Sequence, residues 1–425
     1  MHLTKEQFVE SAVAGISVDR RSVVSLIARL RSPSGQANPY PLYARLRAMG
    51  DVVPAPWGGY LLTGYELCEQ VQRSKSWPVP DAAWRARQGD SVRWDAPASR
   101  EMSHTLAGLN PPDHTRQRRS LGNVFDRGTI ESLRPSVEAT VERLLDRLAG
   151  RLEEGEADIV ELVSEELPVA TLGHWLDVPP EDYALLRDLT HSQVHAQELL
   201  PAKSQLEVSS VGMAGLRDYF TGFIRSRRRH PGDDAVSGWI RTWDELEPDR
   251  EAADESLYYV TMFLTIAALE TASTLLSVMV WLLAREPDQW RWLSAHPEYV
   301  PDAVEEVLRY DPPIHVSTRV AAEPTVLAGV PIEQDDMVHV MIGAANHDGR
   351  QHADPDTFDI RRKAAHLGFG GGPHYCVGAA LARLEATTLL TGLLRRFPRL
   401  GVSAPPVFAP RVAFRRLTEL KVTER

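Results

Sequence analysis

From Leu257 to Ala284 the chain carries a single charged residue, Glu270. On length alone such a run can cross a bilayer, which takes about 20 apolar residues. It fits equally the buried central helix of a large soluble domain, since a helix apolar on every side must be enclosed. Two features favour the second reading. Thr261, Thr265, Thr271, Ser273, Thr274 and Ser277 interrupt the run, and no second span accompanies it. The chain is therefore expected to build a domain large enough to enclose this helix, with no membrane. Glu270 then needs a reason to be there, because a buried carboxylate is costly unless it is paired or has chemical work.

The rest of the sequence is rich in helical patterns. Ile130–Leu152 and Gly212–Ile224 repeat apolar residues at helical spacing, and Asp302–Tyr310 is a short helix stopped by Asp311-Pro312-Pro313. Alternating runs at Tyr60–Thr63, His315–Val320 and Met337–Met341 predict strands. At 425 residues two or three domains are possible, but no repeat, low-complexity tract or Gly/Ser linker divides the chain. The expectation is one large domain, mainly α with a small β part, over residues 37–425, preceded by an N-terminal arm at 1–36.

Charge and cysteine content exclude several functions. Lys+Arg 47 against Asp+Glu 58, a net charge of −11, argues against a nucleic-acid partner. The arginine run Arg225–His230 reads as a solvated helix end favoured by the macrodipole, with Pro231-Gly232 as its stop. Two cysteines exclude a disulfide framework or a four-cysteine metal site and suggest a reducing compartment. Met1–Phe8 has no apolar core of a secretion signal, so a cytoplasmic location is expected. Cys68, in an apolar run, reads as packing.

The other cysteine lies in the densest special segment, His366–Glu385. Its glycines do not follow the phosphate-cradle spacing. A zinc site from His366, His374 and Cys376 lacks a fourth ligand at suitable spacing. A third reading uses every special residue. Cys376 ends a glycine-rich loop and opens a helix, where free backbone N–H groups favour a thiolate. Gly370, Gly372 and Gly378 leave room for a flat macrocycle against the backbone, and a thiolate on haem iron favours O–O cleavage.

Phe369-Gly370-Gly371-Gly372-Pro373-His374-Tyr375-Cys376-Val377-Gly378 resembles the haem-binding loop FGxGxHxCxG of the cytochrome P450 superfamily. The resemblance implies the P450 fold, haem b (iron protoporphyrin IX) with Cys376 as axial ligand, Phe369 packed beside it, Gly378 against it, and His374 on a propionate. Further marks follow in order along the chain. His114-Thr-Arg-Gln-Arg118 resembles the HxxxR helix motif that reaches propionates. Arg319 matches a strand arginine on the other propionate. Glu306-Val-Leu-Arg309 resembles the ExxR pair, which closes a buried network with Arg362. The same spacing at Glu131–Arg134 reads as plain surface helix. Ala267-Ala-Leu-Glu-Thr271 resembles the segment crossing the distal haem face, with Thr271 holding dioxygen and Glu270 relaying protons. A buried Glu270 paired to an arginine is the alternative. Two departures, Ala268 for the usual glycine and Ala272 for a second hydroxyl, put that water network in question. His347 stands where relatives often carry arginine, and no function is attached to it.

The implied activity is an O2- and electron-dependent oxidation, most simply hydroxylation, of a small to medium organic molecule in natural-product biosynthesis. Electrons would arrive from a separate ferredoxin and its reductase, docking near Arg116, Arg119 and Arg361. Substrate contacts would lie in Pro78–Ala107 (with Trp84 and Trp94), His191–Val211, Ile314–Ser317 and Val412–Phe414. A non-catalytic haem protein that recruits a partner and a peroxide-driven haem enzyme are the rivals. An acid beside an alcohol at 270–271 distinguishes both from a monooxygenase.

Overall fold

The computed structural model describes residues 19–424 apart from Asp90, Asn123 and Ala364. In chain order, the helices that place the site are α1 (Arg20–Leu30), α2 (Tyr65–Arg73), α3 (Asp113–Ser120), α4 (Arg134–Glu153), α5 (Glu166–Leu176), α6 (Tyr183–Gln193), α7 (Lys203–Arg229), α8 (Arg250–Ala284), α9 (Val300–Tyr310) and α10 (Ala379–Arg396). The main sheet has strands β1 (Val52–Pro54), β2 (Tyr60–Leu62), β3 (Val316–Val320) and β4 (Met337–Met341) in the order β1-β2-β4-β3. The pairing of β2 with β4 is parallel and sets Leu61 against His339, joining the two ends of the chain in one sheet. The mainly α single domain with a small β part is thus borne out.

Helix α8 is the apolar run, extended to 35 residues, and 83% of its most apolar stretch is buried inside the protein. Its hydroxyls are satisfied within the helix. Thr261 donates to Leu257 O at 2.8 Å, Thr265 to Thr261 O at 2.8 Å, and Ser277 to Ser273 O at 2.9 Å. Back-bonding of this kind lets an alcohol sit in an apolar interior without an outside partner.

Three expected boundaries move. The helix predicted over Ile130–Leu152 breaks at Leu133 into Arg127–Ser132 and α4, because Pro135 is tolerated only in a first turn. Helix α7 starts nine residues before Gly212 and runs 27 residues. Two of its three glycines, Gly212 and Gly215, mark close approach instead of an end. A Cβ at Gly212 would lie 2.8 Å from the Ser192 Cβ, and one at Gly215 2.6 Å from a Leu189 methyl, both on or beside the facing helix α6. At the N-terminus, residues 1–18 of the expected arm lie outside the described residues. From Arg20 onward the arm is core, because α1 buries Val23, Leu26, Ile27 and Leu30, and Gln36 bonds Leu30 O and Arg411 O. The arginine run also does more than face water: Arg228 bonds Asp244 at 2.8 Å and Asp254 at 2.5 Å, tying α7 to α8.

Among the described residues, one buried acid has neither an ion pair nor a backbone amide to hold it. Glu385 on α10 is 3% exposed, and burial raises its carboxyl to about 7, against a small opposing effect of the Thr171 hydroxyl. The folded chain therefore holds this proton where the unfolded chain, near the ordinary carboxyl value of about 4.5, has lost it. Stability falls as pH rises from about 4.5 through about 7, by on the order of 3 kcal/mol. Glu385→Gln is expected to raise the melting temperature at about pH 8 and leave it nearly unchanged at about pH 4.5. Equal shifts at both pH values would contradict this.

Candidate active site

The cysteine loop is built by its own backbone. Gly370 and Gly372 sit at φ +70° and +61°, where an L side chain is strained, and Cys376 N donates to Phe369 O at 3.0 Å to close the loop. Arg118 of α3 fastens it from outside, donating to Pro373 O (3.2 Å) and Tyr375 O (3.0 Å). Behind Phe369, Arg383 stacks 4.5 Å from the ring and bonds Glu305 at 2.6 and 2.8 Å. Burial alone would raise Glu305, but Arg383 and His366 overcome it and hold the carboxyl at about 2.

Two details depart from expectation. Gly372 is required by α2, not by a macrocycle: a Cβ there would come within 2.9 Å of Arg73 Cα and Gln72 O. Gly378, by contrast, has nothing within 4 Å of a Cβ and keeps an open face. The thiol of Cys376 is also pushed up, not down. Burial outweighs the Gly378 amide and the charges of Arg118 and Arg383, so the helix N-terminus by itself does not make the thiolate.

On another side of this loop, His114, Arg118, Arg319 and His374 gather with no acid paired to them among the described residues. The His114 and His374 rings lie 4.4 Å apart, and the buried His114 Nε2 has no hydrogen-bond partner. Arg319 is 7% exposed; its one hydrogen bond goes to Thr318 O (2.9 Å), and no carboxylate pairs with it among the described residues. Burial brings it down to about 10. Ser317 Oγ, two residues along the same strand face, is buried and unpartnered. His374 is driven to about 3 by burial and by the charges of Arg319, His114 and Arg118. A buried arginine without an acid, beside orphaned polar groups, needs an anion. The two propionates of haem fit that requirement, and the lone cysteine beside an open glycine fits its iron.

Helix α8 supplies the other wall. Between Leu257 and Ala284 only Tyr259, Phe263, Ala267, Ala268 and Thr271 keep accessible surface, a stripe at helical spacing in an otherwise closed helix. The Thr271 hydroxyl donates to Ala267 O at 2.6 Å and borders that opening.

Glu270 is a different matter. The free acid expected beside Thr271 is absent; the carboxylate is 1% exposed and bonds Arg411 Nη1 at 2.5 Å, His191 Nδ1 at 2.7 Å and Arg416 Nη1 at 3.2 Å. Burial would raise it, yet His191 and the two arginines hold it at about 2. Glu165 completes the cluster, 2.6 Å from His191 Nε2 and 2.9 Å from Arg416 Nη2. Burial would lower His191, but its bonds to both acids raise it instead. An acid in an apolar helix is explained here by partners from α6 and the C-terminal segment, as the alternative reading held. Arg411, Arg416, Glu165 and the pairing role of His191 were not foreseen; the signal was three arginines, 411, 415 and 416, in an otherwise apolar stretch.

The remaining candidates fall as follows. Glu306 and Arg309, both fully buried, meet at 2.7 and 2.8 Å, and Arg362 Nε approaches Glu306 at 3.4 Å. Glu131–Arg134 is an exposed pair. His347 bonds Asp356 and Tyr310 O at 2.8 Å each and stacks on Tyr40, a structural post. Of the three arginines expected at a partner surface, Arg116 is taken by Glu247 and Arg361 by Asp359, while Arg119 is exposed with no acid in reach among the described residues.

Fold and site together define the class: a mainly α domain whose half-open helix stripe, cysteine-bearing glycine loop and unpaired basic groups suit an anionic prosthetic group. The chain belongs to the cytochrome P450 superfamily, whose family model, Cytochrome P450, matches residues 234–401. It is 34% identical over 402 residues to the cytochrome P450 monooxygenase PikC of Streptomyces venezuelae, covering 92% of each chain. To the 6-deoxyerythronolide B hydroxylase of Saccharopolyspora erythraea it is 32% identical, covering 90% of this chain and 95% of the relative. A crystal structure of P450BioI with a hexadec-9Z-enoic acid ligated acyl carrier protein matches at TM-score 0.84 and 30% identity, over 92% of this chain and 100% of that one. The chain is accordingly a monooxygenase of the bacterial type represented in natural-product biosynthesis.

Proposed function

We propose that the chain binds haem b through Cys376, with Phe369 beside the ligand, Gly378 under the macrocycle, and His114, Arg118, Arg319 and His374 on the propionates. It then oxidises a small to medium organic substrate in the cytoplasm: substrate C–H, O2, two electrons and two protons give C–OH and water. The observation that carries the assignment is the basic cluster without acids around the one half-exposed cysteine. Haem held by a thiolate supplies electron-rich iron that favours O–O cleavage. The protein's part is to position and to move protons. Thr271 borders the open stripe and offers a hydroxyl there, able to release Ala267 O and donate into the slot. Glu270, already ionised and paired, passes protons only by way of His191, its partly exposed neighbour. Electrons come from a separate ferredoxin and its reductase, with Arg119 the one unpaired charge of the three expected at that face.

A reduced, carbon-monoxide-bound absorption spectrum tests the assignment: a Soret band of thiolate-ligated haem supports it, and protein that purifies with zinc and no haem overturns it. For the proton step, Thr271→Ala should divert reducing equivalents to peroxide and lower product per electron pair by roughly tenfold or more. Unchanged coupling would remove Thr271 from that role and favour a peroxide-driven enzyme.

A further inference from the structure

We propose that Arg93 is the anchor for an anionic group on the substrate, a carboxylate or a phosphate ester, at a locus apart from the propionate cluster. The proposal rests on the monooxygenase reading and narrows its substrate class.

Arg93 and Arg85 flank the ring of Trp94, with guanidinium carbons 4.3 and 4.9 Å from its centroid. Arg93 donates only to two carbonyls, Leu199 O (2.9 Å) and Glu198 O (2.8 Å), and its buried Nε has no partner. Arg85 likewise bonds only Pro80 O (3.0 Å) and Ser99 O. Among the described residues no carboxylate lies within ion-pair distance of either. The acids nearby are occupied. Glu198 accepts the amides of Val412 (2.9 Å), Ala413 (3.2 Å) and Phe414 (3.0 Å). Asp81 caps Trp84 N and takes the Asn110 amide, each at 2.8 Å. Outside the propionate cluster, where Arg319 also lacks an acid, four other enclosed arginines each meet one: Arg309 with Glu306, Arg411 with Glu270, Arg415 with Asp311 and Arg416 with Glu165. A cation without a counter-ion is costly in such surroundings. Here burial, with Arg85 adding its like charge, brings Arg93 down to about 10.

The locus is not the propionate site. On β3, Thr318 and Arg319 point to opposite faces. Thr318 is paired with His339, its Oγ1 3.2 Å from Nδ1, and burial together with the charge of Arg93 drives His339 to about 3. The charge of Arg93 acts on His339, whereas the groups acting on His374 are Arg319, His114 and Arg118. Arg93 also keeps part of its surface open. Beyond its two carbonyl bonds, one N–H on each of Nη1 and Nη2 is left to receive an oxyanion without breaking either of them. Trp84, 5.6 Å from Trp94 in a T-shaped pair, provides an apolar wall beside it.

The test is calorimetric binding to the haem-loaded enzyme, using dodecanoate against dodecanol and dodecanoyl-pantetheine phosphate against dodecanoyl-pantetheine. In at least one pair the anionic member should bind about tenfold tighter or more, and which pair does so tells a free acid from a pantetheine arm. Arg93→Gln should erase that preference while the neutral probe binds as before. Arg93→Lys keeps the charge without the fork and should lose roughly three- to tenfold for the anionic probe only. It decides the matter if the glutamine variant does not fold. No anionic preference in the wild type, a preference that survives Arg93→Gln, or an equal loss for both members of a pair would each overturn the proposal. The last result would leave Arg93 as a tie between segments. The reduced carbon-monoxide spectrum of the same samples reports the haem separately, so a normal spectrum with no anionic preference defeats this proposal alone.

Discussion

Cys376→Ala is expected to purify folded, without the reduced carbon-monoxide band and without turnover. The loop does not depend on the side chain, since the bond that closes it comes from the Cys376 backbone N to Phe369 O. The stability change should stay within about 1 kcal/mol, as for other substitutions that remove no packed or paired group. No second thiol can take over. Cys68 is fully buried, donates to Leu62 O at 3.3 Å, and is pushed well up by burial. Haem content, the spectrum and a melting curve measured on one preparation separate loss of the ligand from loss of the fold. A variant that kept the thiolate-type band would refute the assignment of Cys376.

The second large effect is on folding. Glu306→Ala should lose about 3–5 kcal/mol, the range for removing one partner of a buried ion pair. Its carboxylate takes Arg309 Nε at 2.7 Å and Nη2 at 2.8 Å, the Asp359 amide at 3.0 Å and Arg362 Nε at 3.4 Å. Without it, two guanidiniums are left in the interior with carbonyls alone. Against a total stability of about 5–15 kcal/mol, little soluble protein is expected. Glu131→Ala, with the same spacing to its arginine, should cost less than about 1 kcal/mol because that pair is 59% and 41% exposed. Denaturant midpoints of the two variants check the contrast, and equal losses would contradict it.

That contrast also explains what could be read from sequence. Spacing located both ExxR matches, and only position in the fold gave one of them a burial cost. The cysteine loop was legible because Gly370 and Cys376 act through neighbours a few residues away, Cys376 N bonding Phe369 O. Glu270 was legible as a problem but not as an answer. Its arginines lie near the C-terminus and His191 lies on another helix, so the pairing exists only after packing. The thiol of Cys376 was misjudged for a related reason. A helix N-terminus is visible in sequence, whereas the burial that outweighs it is a property of the assembled domain. Helix α7 was expected only from Gly212, and that this glycine lies inside the helix at a close contact with α6 is visible only once the facing residues are known.

The contact at Gly212 and Gly215 has a mechanical result. With Ser192 and Leu189 seated where side chains would otherwise stand, α6 and α7 mesh too closely to slide past one another. Whatever motion admits a substrate must carry residues 183–229 as one lever. Bending is left to the connections at its ends, and its tip at residues 198–199 is where Arg93 takes hold.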